Sequence, residues 1–266
     1  YNIDLLNQYG AAFPREEWDW NDFLEIALTT RDPIADTFGY ASTLEVFDVL
    51  AFIYQHGGTI FDSLENPSRT TFDDPLTIEG LEWYAKLLHD YDVVPTPEQA
   101  RESFGGAGSL QAGILRGQVA MWTGMLSERG GRGWPAEWDM QWGLAPLPRD
   151  VRATTMTLVQ GYFISAQSRH PDVCWEWISF LSGHVPSQLT PARRTLAESV
   201  EYEQQVGENI AQVAQASMRD ALLLSPELVE YEQALEVFGN AYQAVLEQRS
   251  SAEEAMTWAQ QQSGFD

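Results

Sequence analysis

Cysteine is almost missing from this chain, because Cys174 is its only one. A single cysteine excludes an intrachain disulfide framework and any metal site built from several thiolates. It does not decide the cellular compartment, since many exported proteins lack disulfides. Within its apolar stretch, Cys174 is expected to be a buried small hydrophobic residue rather than a nucleophile.

Basic side chains are also scarce. The chain has 15 Lys and Arg residues against 39 Asp and Glu residues, for a formal net charge of −24, and Lys86 is the only lysine. This charge repels phosphate backbones and anionic lipids, which argues against nucleic acids and membrane surfaces as partners. It is compatible with a neutral or cationic ligand.

Long apolar runs are absent as well. No stretch reaches the roughly 18 apolar residues of a membrane-spanning helix. The first residues also lack the basic and apolar regions of a secretion signal. From this pattern we expect either a cytosolic protein or a native N-terminus upstream of Tyr1. The 266 residues, of which 44% are hydrophobic, suffice for one large or two modest cores.

Motifs for catalysis and metal binding are few. The four histidines stand singly, without a His-x-x-x-His pair, so we expect no metal site. The Gly-x-Ser-x-Gly turn of many serine hydrolases does not occur, and no cofactor is predicted. The sequence does not exclude a pair of carboxylates for glycoside hydrolysis, because 39 acidic residues offer many pairs and the distances between them are not readable from a sequence.

The stretch from Gly113 to Pro148 contains the strongest local signal for a ligand site. Its pattern predicts a helix that stops at Gly117, followed by a buried strand over residues 119–122. The strand ends at Trp122-Thr123-Gly124, with Met125 next in the chain. Ligands bind at strand ends in open α/β sheets, and an indole beside a small polar residue and a glycine suits such a contact.

A second candidate region follows a short strand that begins at Phe38. The helix after this strand carries Glu45 and Asp48 in its first turn, with Phe47 beside them. The two carboxylates can oppose the positive end of the helix dipole. They can also face a polyol together with the aromatic ring. The sequence leaves both interpretations open.

The region after Pro148 combines a predicted strand with a strongly apolar helix. Residues 158–165 read as a strand that contains Gly161 followed by Tyr162, and a glycine within a strand often marks close approach of a ligand. The helix that starts at Pro171 is predicted to bury one apolar face, formed by Val173, Cys174, Trp177, Ile178 and Leu181.

Several short phrases in this chain occur together, in this order, in one protein family. The phrases are Tyr1-Asn2-Ile3-Asp4-Leu5, Trp18-Asp19-Trp20-Asn21-Asp22-Phe23, His56-Gly57-Gly58-Thr59-Ile60-Phe61-Asp62, Gly117-Gln118-Val119-Ala120-Met121-Trp122, the segment from Trp142 to Pro148, and Gly161-Tyr162-Phe163-Ile164-Ser165 with Ser168-Arg169-His170-Pro171. In these phrases the chain resembles the extracellular solute-binding proteins of sugar ABC importers, the type related to maltose-binding protein.

The resemblance implies an α/β, periplasmic-binding-protein-like fold of type II with two lobes. By this likeness, residues 1–145 form most of the C-terminal lobe, residues 146–195 return to the N-terminal lobe, and residues 196–266 form C-terminal-lobe and hinge helices. Such proteins begin with a secretion signal, usually a lipoprotein signal, and an N-terminal lobe segment. Both are expected to be missing from this sequence. The resemblance also implies a periplasmic or extracellular location and a lipid-anchored precursor.

The function implied by the resemblance is non-enzymatic capture of a sugar or oligosaccharide between two lobes, for delivery to ABC permease subunits. The intact protein is expected to be a monomer. Trp122 or Phe47 would supply an aromatic platform, and Glu45 and Asp48 would accept hydrogen bonds. The other expected contacts are Thr123, Gly124 and Met125 at the strand end and Gly161 and Tyr162 from the opposite lobe. A glycoside hydrolase and a binding protein for another solute, such as a polyamine, remain as alternatives.

Overall fold

The computed structural model describes residues 1–43, 45–105, 110–223 and 232–264. Its strands are β1 (Phe38–Ser42), β2 (Val119–Thr123), β3 (Thr155–Thr157) and β4 (Ala221–Leu223). Its helices are α1 (Ile3–Tyr9), α2 (Trp20–Thr30), α3 (Glu45–His56), α4 (Pro75–His89), α5 (Pro97–Phe104), α6 (Leu110–Leu115), α7 (Pro171–Leu181), α8 (Arg194–Ala197), α9 (Val200–Val206), α10 (Glu208–Arg219), α11 (Glu232–Leu246) and α12 (Ala252–Gln262), with a 3₁₀ helix at Leu126–Gly131.

Local sequence chemistry accounts for where several helices begin and end. Asp19 caps α2 by accepting hydrogen bonds from the Asn21 and Asp22 amides, and the Asp22 carboxylate accepts one from the Asp19 amide. Asp74 caps α4 ahead of Pro75, whose missing N–H is not needed in a first helical turn. The chain leaves α6 through Gly117 in the left-handed region, at φ 72°. These signals confirm the predicted helix stop before β2.

The sheet beside the candidate site is built from β1, β2 and two crossing segments. β1 and β2 are parallel, with Phe38 opposite Val119 and Ser42 opposite Thr123. On the other side of β2, the Asn2 amide donates to the Ala120 carbonyl over 2.8 Å, and Asn2 forms an antiparallel bridge with Trp142. The carboxyl ends of both strands therefore meet at one edge of the sheet, as parallel pairing requires.

One large core lies under this sheet. Buried residues from α1 to α4, β1, β2, α11 and α12 form a continuous apolar cluster, and α11 and α12 both pack against α4. Each fully buried Phe or Leu side chain in such a core stabilises the fold by about 1.5–3 kcal/mol. A separate small cluster centres on Tyr202, Ala211 and Ala214. None of the helices in the described ranges is long and apolar enough to cross a bilayer.

The strand predicted over residues 158–165 is wrong. The paired strand in this region is β3, which ends at Thr157 and runs parallel to β4. Residues 158–165 form no ladder with any described residue, and Leu158, Tyr162 and Phe163 are exposed. An apolar run forms a strand only when another backbone is available for pairing, and the described residues offer none here.

The buried apolar face predicted for α7 is also wrong. No residue of α7 is buried, and the side chains of Val173, Trp175 and Trp177 are each about 60% exposed, at 62%, 63% and 59%. Cys174 is only partly buried. The apolar periodicity gives the helix correctly, but in the part of the chain that the structure describes no element covers its apolar side.

The exposure of α7 leads to a direct prediction for stability. We expect Trp177→Ala to change the free energy of unfolding by less than about 0.5 kcal/mol, as for an ordinary surface substitution. Truncating a buried tryptophan would instead cost about 3–5 kcal/mol. Urea denaturation at low protein concentration measures the difference. A loss above about 2 kcal/mol, against a surface norm of 0.5, would mean that another protein surface covers this helix.

Candidate functional site

A cavity opens where β1 and β2 end, between α2, α3 and the segment after the Trp142 crossing. About 590 Å³ of space free of protein atoms lies in and at the mouth of this cavity, open solvent included. Aromatic and small apolar residues form most of its wall. The lining residues are Tyr1, Pro14, Trp18, Phe23, Tyr40, Asp48, Ala51, Phe52, Gln55, Met121, Trp122, Thr123 and residues 143–148.

Asp48 lies at the centre of the polar part of this wall. Its side chain is 3% exposed, and its Oδ2 accepts hydrogen bonds from the Tyr40 hydroxyl at 2.9 Å and the Thr123 hydroxyl at 2.5 Å. The hydroxyl oxygens of Tyr40 and Thr123 are themselves 3.2 Å apart. Asp48 thus orients two hydroxyl groups at the strand ends, one from β1 and one from β2.

The electrostatics of Asp48 follow from its burial. Removal from water raises the pKa of its carboxyl group, and hydrogen bonds from neighbouring hydroxyl groups only partly oppose that rise. Among the described residues that line the cavity, Asp48 is the only acidic or basic side chain. The side chains of the described lining therefore offer no cation to neutralise an anionic ligand, and such a ligand would face the carboxylate at close range.

Trp122 supplies the aromatic surface next to this network. It is partly exposed, and it packs edge-to-face with Trp138, with ring centroids 5.0 Å apart and planes at 89°. Trp138 also contacts Trp134 and Trp142 in edge-on geometry. Packing on one side thus holds Trp122 in place while it lines the cavity on the other.

The structure brings three of the nine predicted site residues to the cavity wall: Asp48, Trp122 and Thr123. Gly124 and Met125 come next in the chain after β2 but are not part of the cavity lining; Gly124 is exposed and Met125 is partly buried. The remaining four residues do not line the cavity either: Glu45 is exposed, Phe47 is half-buried, and Gly161 and Tyr162 are exposed beyond β3.

Several residues of the wall were missed by sequence reasoning. Phe52 and Gln55 line the cavity together with Asp48, and their spacing of four and three residues places all three on one face of α3. That spacing was a readable signal. Trp18 also belongs to the wall; it is buried, and its Nε1 donates to the Pro146 carbonyl at 2.8 Å.

The described residues contain no group of three His, Cys, Asp or Glu side chains arranged to hold a metal ion. A pair of carboxylates facing each other across the cavity is also missing from its described lining, which contains Asp48 alone. Glycoside hydrolysis ordinarily uses two carboxyl groups about 5–10 Å apart.

Comparison with known protein families identifies the chain. Residues 1–185 match the family described as bacterial extracellular solute-binding protein. The chain belongs to this family. The match includes both strands at the candidate site, the crossing segment at Trp142 and helix α7.

Solved structures show that this solute-binding protein has a type II periplasmic-binding-protein-like fold. An ABC substrate-binding protein of Listeria monocytogenes, in complex with cycloalternan, is similar over 99% of this chain and 67% of its own, with a TM-score of 0.77 and 18% identity. A maltose/maltodextrin-binding domain of Bdellovibrio bacteriovorus, bound to maltotriose, is similar over 99% of this chain and 68% of its own, with a TM-score of 0.72 and 14% identity.

A third similar structure has a ligand of another kind. It is a Mycobacterium tuberculosis protein in complex with glycerophosphocholine. The likeness covers 99% of this chain and 66% of the Mycobacterium chain, with a TM-score of 0.68 and 15% identity. At these identities the likeness shows the fold alone. This solute-binding protein spans about two thirds of the length of each of the three proteins.

Proposed function

We propose that this protein is the substrate-binding component of an ABC importer and that its solute is a neutral sugar or oligosaccharide. The observation that carries the proposal is Trp122 beside the hydroxyl groups that Asp48 orients, at the edge where β1 and β2 end. A sugar presents apolar C–H faces and polar edges. An aromatic platform next to oriented hydroxyl and carboxylate oxygens complements both.

The second wall of the site is part of the proposal. In a two-lobed protein, closure brings a second surface onto the ligand and excludes water. We assign residues 1–145 and 196–266 to the lobe that carries the cavity and residues 146–195 to the opposing lobe, which an N-terminal lobe segment would complete. The exposed apolar surface of residues 158–163 and α7 supports this, because a solvated patch of this kind normally receives another protein surface.

The remaining predicted contacts take their place in the closed form. Glu45 and Phe47 in the first turn of α3, and Gly124 and Met125 after β2, lie beside the residues of the cavity wall. They would reach a ligand longer than one sugar ring. Gly161 and Tyr162 would approach it from the opposing lobe. This extended site suits an oligosaccharide, such as those bound by the Listeria and Bdellovibrio proteins.

The location and the partners follow from the family and remain part of the proposal. The protein would act in the periplasm or outside the cell, anchored to the membrane by a lipid that its full-length precursor receives. The intact protein would be a monomer. It would hand its ligand to the permease subunits of the importer. No chemical step is required of it, because capture and release depend only on opening and closing of the two lobes.

A cationic solute such as a polyamine is the second candidate. The net charge of −24 and the buried Asp48 carboxylate in the cavity favour it. However, one carboxylate whose oxygen already accepts two hydrogen bonds matches only one of the several ammonium groups of a polyamine. The aromatic and apolar remainder of the wall favours the sugar.

A thermal-shift screen tests the proposed function. We expect maltotriose or maltotetraose to raise the melting temperature, because a ligand at 100 times its Kd stabilises the folded form by about 2.7 kcal/mol. For a chain of this size that corresponds to a rise of roughly 5–10 °C. Spermidine and galacturonic acid serve as cationic and anionic controls. A rise in melting temperature with spermidine but with neither sugar would show that the solute is a polyamine. Cleavage of the added oligosaccharide into shorter sugars would contradict the binding role.

A further inference from the structure

The segment that leaves the cavity wall is fastened along its length to the helices behind it. We call residues 146–154 the linker segment. Trp18 binds it at its start, through the hydrogen bond from Nε1 to the Pro146 carbonyl. Midway, the Arg149 amide donates to the Trp18 carbonyl at 3.0 Å and the Arg149 carbonyl accepts from the Trp20 amide at 3.0 Å. The linker segment therefore follows the start of α2 closely.

Gln55 fastens the far end of the linker segment. Its side chain is 1% exposed and makes two hydrogen bonds, accepting from Trp20 Nε1 at 2.8 Å and donating from Nε2 to the Thr154 carbonyl at 3.0 Å. Its backbone carbonyl accepts from the Arg152 amide at 2.9 Å. Because Gln55 also lines the cavity, the last turn of α3 couples the cavity wall to the chain that follows it.

His56, the next residue of α3, makes the only side-chain ion pair to the linker segment in the described part of the chain. Its Nδ1 is 2.6 Å from Oδ2 of Asp150, and its Nε2 is 3.0 Å from Oε2 of Glu79 on α4. The imidazole ring also stacks on Trp20, with centroids 5.6 Å apart and planes at 12°. The groups packed around the ring are thus two carboxylates and one indole.

This geometry distinguishes the two carboxylates by what they join. The contact with Glu79 connects α3 to α4, two helices that already share the core. The contact with Asp150 connects α3 to the linker segment. Two carboxylates at hydrogen-bond distance from both ring nitrogens match a protonated imidazole, which is the form that donates from both.

We infer that His56 is a positioning residue that holds the linker segment, and with it the cavity wall at residues 143–148, against α3 by bonding Asp150 while protonated. Its effect on ligand binding rests on the proposed function, in which the linker segment is where the chain enters the opposing lobe. Loss of the proton leaves one N–H for two carboxylates and, in either tautomer, removes the positive charge that attracts Asp150. The linker segment then detaches more readily.

The direction of the pH dependence follows from the surroundings of His56. Partial burial disfavours the charged ring, but the hydrogen bonds and charges of Glu79 and Asp150 outweigh it and raise the pKa of His56 above its ordinary value. A raised pKa in the folded state means that the stabilisation is complete at pH values below the unfolded-state pKa. It is lost as the pH rises through the folded-state pKa.

Amide hydrogen exchange on matched variants tests the inference without a ligand. Asp150→Ala and Glu79→Ala each remove one carboxylate from His56, but only the first unties the linker segment. We expect Asp150→Ala to lower the protection factors of the Arg149 and Arg152 amides by about tenfold. Glu79→Ala should leave them within about twofold, and the Tyr40 amide in β1 serves as an internal reference. Equal effects of the two variants would overturn the inference.

The pH profile supplies a readout that a purely structural role would not change. Protection of the Arg149 and Arg152 amides should fall as pH rises in the wild-type protein and stay level in His56→Gln. A profile in His56→Gln that follows the wild type would also overturn the inference. Maltotriose affinity forms a separate arm: it should weaken in Asp150→Ala and not in Glu79→Ala. If no sugar binds while the exchange pattern holds, the proposed function fails and the role of His56 stands.

Discussion

Gly39→Ala is expected to lower the free energy of unfolding by about 3 kcal/mol, at the upper end of overpacking costs. β1 lies directly on the backbone of α2 at this position. A Cβ on residue 39 would stand 2.2 Å from the carbonyl oxygen of Ala27 and 2.5 Å from its Cα. These are backbone atoms that no side-chain rotation can move, so β1 and α2 must separate.

The effect of Gly39→Ala should extend to the candidate site. The next residue of β1 is Tyr40, whose hydroxyl donates to Asp48. A shift of β1 away from α2 therefore displaces one of the two hydroxyl groups at the centre of the cavity wall. We expect weaker binding of any ligand as well as a lower urea midpoint.

Gly239→Ala is the matched control for this substitution. Gly239 lies within α11, and a Cβ there would meet nothing within 4 Å. Alanine in a helix interior is better than glycine by about 1 kcal/mol, so this variant should be slightly more stable than the wild type. Urea denaturation of both variants gives the comparison. Equal stability of Gly39→Ala and the wild type would show that β1 does not approach α2 this closely.

Trp122→Ala is expected to weaken oligosaccharide binding by roughly 30-fold or more, the loss typical of an aromatic residue at the centre of an interface. The substitution removes the indole beside Thr123 and leaves the apolar face of a sugar against water. The contact with Trp138 is lost too. Because Trp122 is only partly buried, we expect the protein to remain folded.

The control for Trp122→Ala is Trp177→Ala, which removes the same group from the exposed side of α7. Isothermal titration with maltotriose or maltotetraose gives both dissociation constants, and circular dichroism verifies folding. We expect the dissociation constant of Trp177→Ala to stay within about twofold of the wild-type value. An unchanged dissociation constant in Trp122→Ala would remove Trp122 from the site and contradict the proposed platform.

Local elements around the site could be predicted from the sequence. The stop at Gly117 and the strand from Val119 were predictable because a left-handed glycine and a short apolar run act over a few residues. The strand end at Thr123 followed directly. The short sequence phrases between Tyr1 and Pro171, taken in their order along the chain, also predicted the family, and the match over residues 1–185 confirms it.

The composition of the cavity wall was less predictable. Asp48 was expected to contact a ligand through its oxygens, yet its Oδ2 already accepts from two hydroxyl groups of the protein itself. Thr123 is 75 residues away from Asp48 in the chain, and spacing reveals nothing about pairs so far apart. Only the parallel register of β1 and β2 brings their ends to the first turns of α3.

The amino-acid sequence by itself determined the helices and strands with strong local signals, the excess of negative charge and the family. These depend on periodicity, capping and composition, which neighbouring residues carry. Tertiary structure alone decided that Asp48 orients Tyr40 and Thr123, that His56 bridges Glu79 and Asp150, and that the apolar side of α7 faces solvent. Each of these depends on which distant backbone lies alongside, and burial and hydrogen bonding are settled by that neighbour rather than by residue type.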